Sequence, residues 1–141
     1  MKIFRISALF TCLFAVASWA DEIPRTASKP GTTLAILAPA DGAVVKSPVT
    51  VQFGLDGMGV APAGVQSPGT GHHHLIIDTD LPAAERPIPA DANHRHFGGG
   101  QTQVTLDLPP GEHTLQLVLG DHHHVPHDPP VVSAPISISV E

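Results

Sequence analysis

Three histidine clusters dominate the chemistry this chain can do. "GTGHHHLIID" carries His72, His73 and His74; "NHRHF" carries His94 and His96; "GDHHHVPHD" carries His122, His123, His124 and His127. Neutral imidazole is a good donor to borderline divalent ions. Residues two apart on a strand project from one face, so His72 and His74 pair on one side while His73 points to the other. His94 and His96 repeat that spacing. An H-x-H pair completed by imidazoles from another strand makes a workable nitrogen site for Zn, Cu(II) or Ni(II). The candidate ligands are therefore His72, His74, His94, His96, His124 and His127, with His122 and His123 ranked behind them. Asp91, Asp121 and Asp128 stand close in sequence, to ligate or to orient a ring by accepting its second N–H. Met58 is the only sulfur beyond residue 20. Cu(I) favours sulfur ligands, so the set points to an oxidised divalent ion, Cu2+ or Zn2+ foremost.

Short apolar runs separated by proline and glycine must position these rings. No stretch holds a helical period, and 15 prolines with 13 glycines punctuate the chain as in a loop-rich β domain. Strands are expected at about 33–38, 48–55, 72–78, 102–108, 113–119 and 132–140. Val49, Val51 and Phe53 share one face of the second; Val104, Leu106 and Leu108, then Leu115, Leu117 and Leu119, and finally Ile136, Ile138 and Val140 face inward from the last three. The segment 79–101 has room for one more short strand, but its prolines argue against a long one. The expected fold is all-β: a small antiparallel sandwich of immunoglobulin or fibronectin type with six or seven strands. His113 takes the place a corner tyrosine usually holds in such folds, which predicts a structural ring bonded to backbone. Connections of an up-and-down sandwich alternate between its ends, so every histidine but His113 is expected at one pole. Which face of 72–78 points inward is open. If Leu75 and Ile77 are inward, so is His73, and His72 and His74 lie outside.

Lys2 and Arg5, an apolar run "ISALFTCLFAVA" and small residues ending at Ala20 read as an export leader, too short to span a bilayer comfortably. Residues 1–20 are expected to be removed, 21–32 to form a flexible lead-in, and 33–141 to fold as a single domain. The destination is then periplasmic or secreted, with no membrane segment after cleavage. Cys12 leaves with the leader, which excludes a disulfide and a thiolate ligand. The net charge of −6, more negative once Lys2 and Arg5 are gone, argues against nucleic acid and anionic membranes and favours cations.

"GMGVAPAG", "GTGHHHLIID", "IPADANHRHFGGGQTQVTLDLPPGEHTLQLVLGD" and "HVPHDPPVVSAPISISV" together resemble a bacterial exported domain family of unknown function. The resemblance runs from about Gly57 to Val140. It implies a small secreted β domain and supplies no activity. The general architecture is also similar to small periplasmic copper-carrier sandwiches, a likeness of fold alone.

The expected function is a metal-binding module that sequesters a divalent transition metal or hands it to a periplasmic or membrane metal-handling protein. One alternative is a zinc-dependent hydrolase with Glu85 or Asp91 as its acid–base group, though no hydrolase motif surrounds either. "HHHLIID" loosely suggests a cupin-type H-x-H with Asp78, but the second cupin motif is missing. The other alternative is a partner-binding β domain with a pH-responsive histidine patch.

Overall fold

The structure, a computed structural model, describes residues 23–141. The expected leader lies outside the described residues. Among the described residues nine strands form: β1 (Thr33–Ala38), β2 (Val44–Val45), β3 (Val49–Asp56), β4 (Gly59–Val60), β5 (Thr70–Ile77), β6 (His94–His96), β7 (Gln103–Leu106), β8 (Gly111–Gly120) and β9 (Ile136–Val140). They build an all-β sandwich, as the alternating pattern predicts. One sheet has the order β1-β3-β7. The other runs β2-β9-β8-β5-β4, with β6 also paired to β5. Pairing is antiparallel except for β2 with β9 and β4 with β5. The division sends the first two expected strands and the fourth to one sheet and the other three to the second, which is the immunoglobulin-type partition.

Period-two alternation sets the register. Val49, Val51 and Phe53 of β3 face Leu115, Leu117 and Leu119 of β8 across the core, and all six are buried. Burying side chains of this size stabilises the fold by about 1.5–3 kcal/mol each. Leu75 and Ile77 join this core, which fixes β5: its odd residues point between the sheets and its even residues point outward. The outward face is nonetheless covered. Ile76 packs with Val118 and Ile88 in a second, smaller cluster, so the segment 78–93 folds over the sheet. Every residue of β5 from Gly71 to Ile77 is consequently buried.

The short extra strand for which 79–101 has room is present, β2 and β4 are additions, and the lead-in is placed differently from the sequence reading. Within 79–101 the extra strand is β6, a three-residue strip that pairs His74 with His96 and Ile76 with His94. The lead-in expected to be flexible at 21–32 is, from Arg25 onward, strapped along the loop after β8. Ser28 N donates to the Asp128 carbonyl at 3.0 Å, and Asp128 N donates to the Thr26 carbonyl at 2.9 Å. Hydrophobic pattern could not reveal this, because main-chain and polar groups make the contact.

His113 takes the corner. Its Nε2 lies 2.8 Å from the Pro109 carbonyl oxygen and its Nδ1 lies 2.7 Å from Asp78 Oδ2. Asp78 Oδ1 also accepts from Thr114 N, at 2.8 Å. The Asp78 carboxylate and then the Pro109 carbonyl hold the His113 pKa above its ordinary value.

Candidate functional site

The inward turn of Leu75 leaves His72 and His74 on the outer face of the six-stranded sheet. Beside them β6 contributes His96, in register with His74. The loop after β8 curls back over the same face and adds His124. Ring centroids lie 4.8 Å apart for His72–His74 and His96–His124, and 5.0 Å for His72–His96, His72–His124 and His74–His96. The longest separation in the group, His74–His124, is 6.0 Å. Four imidazoles from three distant stretches of chain thus form one cluster. One nitrogen each of His72, His74 and His96 falls within a mutual 4.8 Å.

His72 Nε2 and His74 Nε2 are 3.0 Å apart. Two nitrogens held about 2.0–2.1 Å from one ion at a tetrahedral angle stand about 3.3 Å apart, so this pair is already near the spacing of a shared ion. Both rings are only 1% exposed, and the Nδ1 of each has no hydrogen-bond partner. An unpaired buried ring N–H costs about 1–3 kcal/mol. The two Nε2 atoms share one hydrogen bond, which an ion held between them would replace, leaving each Nδ1 as it is. His96 is exposed and His124 half-buried, so the cluster opens to solvent on their side.

Burial and the neighbouring imidazoles keep His72, His74 and His96 neutral, which is the ligating form. His72 is pushed down to about 4, first by burial and then by His124 and His96. Burial, followed by His72, His96 and His124, pushes His74 down to about 2. His96 is lowered more mildly, by burial and then by His124.

Two glycines shape the cradle. A Cβ on Gly120 would stand 2.8 Å from His74 Nε2, and one on Gly98 would stand 2.3 Å from His96 Cε1. Neither role shows in the sequence as more than turn chemistry.

Two predicted ligands fall outside the cluster. His94 shares the outer face, but its Nδ1 is 2.8 Å from Asp91 Oδ1, which also accepts from the backbone N of Asn93 and of His94 at 2.9 Å. His94 lies one pleat further along β6 than His96, and Asp91 takes its ring. His127 is fully buried against Gly71, its two nitrogens 3.3 Å and 3.2 Å from the carbonyl oxygens of Leu119 and Thr70. Close packing on backbone carbonyls makes it a structural ring. His73 faces the core, stacked 5.1 Å from Phe53, and Met58 is buried in the same core. His122 and His123 stack on each other at 4.0 Å on the outside of the loop.

Asp121 accepts from a side chain and backbone of the loop and strap rather than from a clustered ring. Its buried carboxylate accepts from Thr26 Oγ1 at 2.8 Å and from the backbone N of His123 and Val125 at 2.9 and 3.0 Å. Burial pushes its pKa up, but the hydrogen bonds from Thr26, Val125 and His123 outweigh that and leave it below the ordinary range. Sequence reasoning placed Asp121 near the site but could not assign it this bracing role. Its partner Thr26 lies 95 residues away.

No curated protein and no solved structure matches the chain. Residues 51–141, which carry all four clustered histidines, match a family described as "Domain of unknown function (DUF4399)". The chain belongs to that family, in agreement with the resemblance to a domain family of unknown function.

Proposed function

We propose that this domain binds one divalent transition-metal ion, Cu(II) or Zn(II), through His72, His74, His96 and His124. The observation that carries the reading is the convergence of four imidazoles on one covered face, with the Nε2 atoms of two buried rings 3.0 Å apart. An all-nitrogen donor set suits oxidised copper, zinc or nickel better than Cu(I). His72 and His74 supply the anchored ligands. His96 and His124, nearer solvent, supply the side from which an ion enters and leaves. If the leader acts as expected, the site works in the periplasm or outside the cell, where it sequesters an ion or passes it to another metal-handling protein.

The hydrolase reading draws less support. Asp91 is committed to His94, Asp121 to the loop and Thr26, and Glu85 lines a separate depression with Ile23, Arg25 and Asp128.

Calorimetric titration of the untagged protein with Cu(II), Zn(II) and Ni(II) tests the proposal. One ion per chain is expected. His72→Ala or His74→Ala should abolish tight binding, and His96→Ala or His124→Ala should weaken it at least about tenfold. His94→Ala should leave stoichiometry and affinity unchanged, since that ring belongs to Asp91. Affinity should hold down to about pH 5 and fall as the pH approaches 4, where protons begin to compete for His72. Binding that survives the loss of both His72 and His74 would sink the assignment.

A further inference from the structure

We propose that residues 25–28 form a strap that positions His124 as a ligand, so that ion binding and docking of the strap are coupled. This rests on the metal-binding reading above and adds a positioning device to it. The ligand in question sits in a tight turn closed by one residue. Asp121 N donates to the Val125 carbonyl at 2.9 Å, and the Asp121 carbonyl accepts from His124 N at 2.8 Å. Asp121 Oδ1 accepts from His123 N and Val125 N. His124 is held there at a φ of 67°, a left-handed conformation that non-glycine residues adopt only when their surroundings impose it.

The carboxylate that imposes it is 1% exposed, and a buried charge must be partnered. Among the described residues, the hydrogen-bond donor to its Oδ2 is the Thr26 hydroxyl, at 2.8 Å. The strap grips the far end of the same loop as well. Arg25 Nε donates to the Pro126 carbonyl at 3.2 Å, its guanidinium reaches the His127 carbonyl, and it lies 3.3 Å from Asp128. Ala27 and Asp128 add a parallel bridge. The strap therefore braces 121–128 from both ends, and the conformation it braces is the one that presents the His124 ring to His72 and His96. Linkage is reciprocal: if the docked strap favours the ion, the ion favours the docked strap by the same factor.

The test uses Cu(II) as the probe, with affinity measured by competition against a chelator and the ligand set read from nitrogen hyperfine structure in its electron paramagnetic resonance spectrum. Thr26→Val removes the hydroxyl while keeping the shape, and should weaken binding about five- to tenfold, the lower end of coupling between linked sites. It should also shift the spectrum toward that of His124→Ala. Thr26→Ser restores the hydroxyl and should return affinity to within about twofold of the unaltered protein. In a His124→Ala background, Thr26→Val should add nothing, because the strap acts through that ring. Zn(II) added to the unaltered protein should slow amide exchange at Ser28 and Asp128, a readout that needs no variant to fold. Unchanged affinity in Thr26→Val, an equal loss with and without His124, or unchanged exchange in the strap would each overturn the coupling. In those cases the four-histidine reading stands if the unaltered protein still takes up its ion. A protein that takes up neither ion overturns both.

Discussion

The histidines of this domain are chemically identical and do four different things because of what each ring meets. His72 and His74 meet each other and more imidazole. His94 meets a carboxylate, His127 meets backbone carbonyls, and His113 meets both a carboxylate and a carbonyl. The consequence for the metal-free protein is a stability optimum with opposite slopes on its two sides. His72 and His74 have folded-state pKa values below 6.5, so below that pH the unfolded chain binds more protons than the folded one, and stability falls as pH drops toward 4. His113 has a raised folded-state pKa, so its contribution is complete below 6.5 and is lost as pH rises through the raised value. Urea unfolding of the metal-free protein across this range should show a maximum near pH 6.5. His113→Gln should flatten the alkaline limb and leave the acid limb in place. A metal-free domain as stable at pH 5 as at pH 6.5 would contradict the burial of the His72–His74 pair.

At the scale of elements, the site depends on a short edge strand and a loop that have little packing of their own. β6 is held by its pairing with β5, and Gly98, two residues past its end, leaves room for the His96 ring. Gly98→Ala should push that ring aside. The intruding Cβ meets the far end of an exposed side chain and, at 3.2 Å, the Ala63 Cβ, so stability should change by no more than about 1 kcal/mol. Metal affinity should fall by about as much as in His96→Ala. Thermal unfolding and titration on the same sample check both halves. Gly120→Ala acts on the other wall, against the buried His74 ring, and has no flexible neighbour to yield. It should therefore cost both stability and affinity.

For the molecule as a whole, the ion and the fold should reinforce each other. The cluster joins β5, β6 and the loop after β8, and through that loop the N-terminal strap. An ion at about 100 times its dissociation constant should stabilise the folded state by about 2.7 kcal/mol. For a domain of this size that raises the melting temperature by about 10 °C. Differential scanning calorimetry with and without Zn(II), then with excess chelator, measures the rise and its reversal. No rise at saturating Zn(II) would mean that the ion does not bind the folded state preferentially.

Alternating apolar residues determined the all-β sandwich and its division into two sheets, since a period of two has only one way to bury Val51, Leu117 and their neighbours. Residue type and i, i+2 spacing were enough to mark the histidines as the chemistry of the chain. Alternating connections led to the expectation that the histidines gather at one pole; four of them gather instead on the outer face of the six-stranded sheet, with His73 in the core. What only the tertiary structure decided was membership. The inward register of Leu75 sent His72 and His74 to the outer face and His73 to the core. Asp91 took His94, and the packing against Gly71 took His127. The 95-residue reach from Thr26 to Asp121 braced His124 in place. Periodicity reports which side of a strand a residue is on. It does not report which polar group will stand opposite, because hydrogen-bond partners are chosen by proximity in space rather than by spacing along the chain.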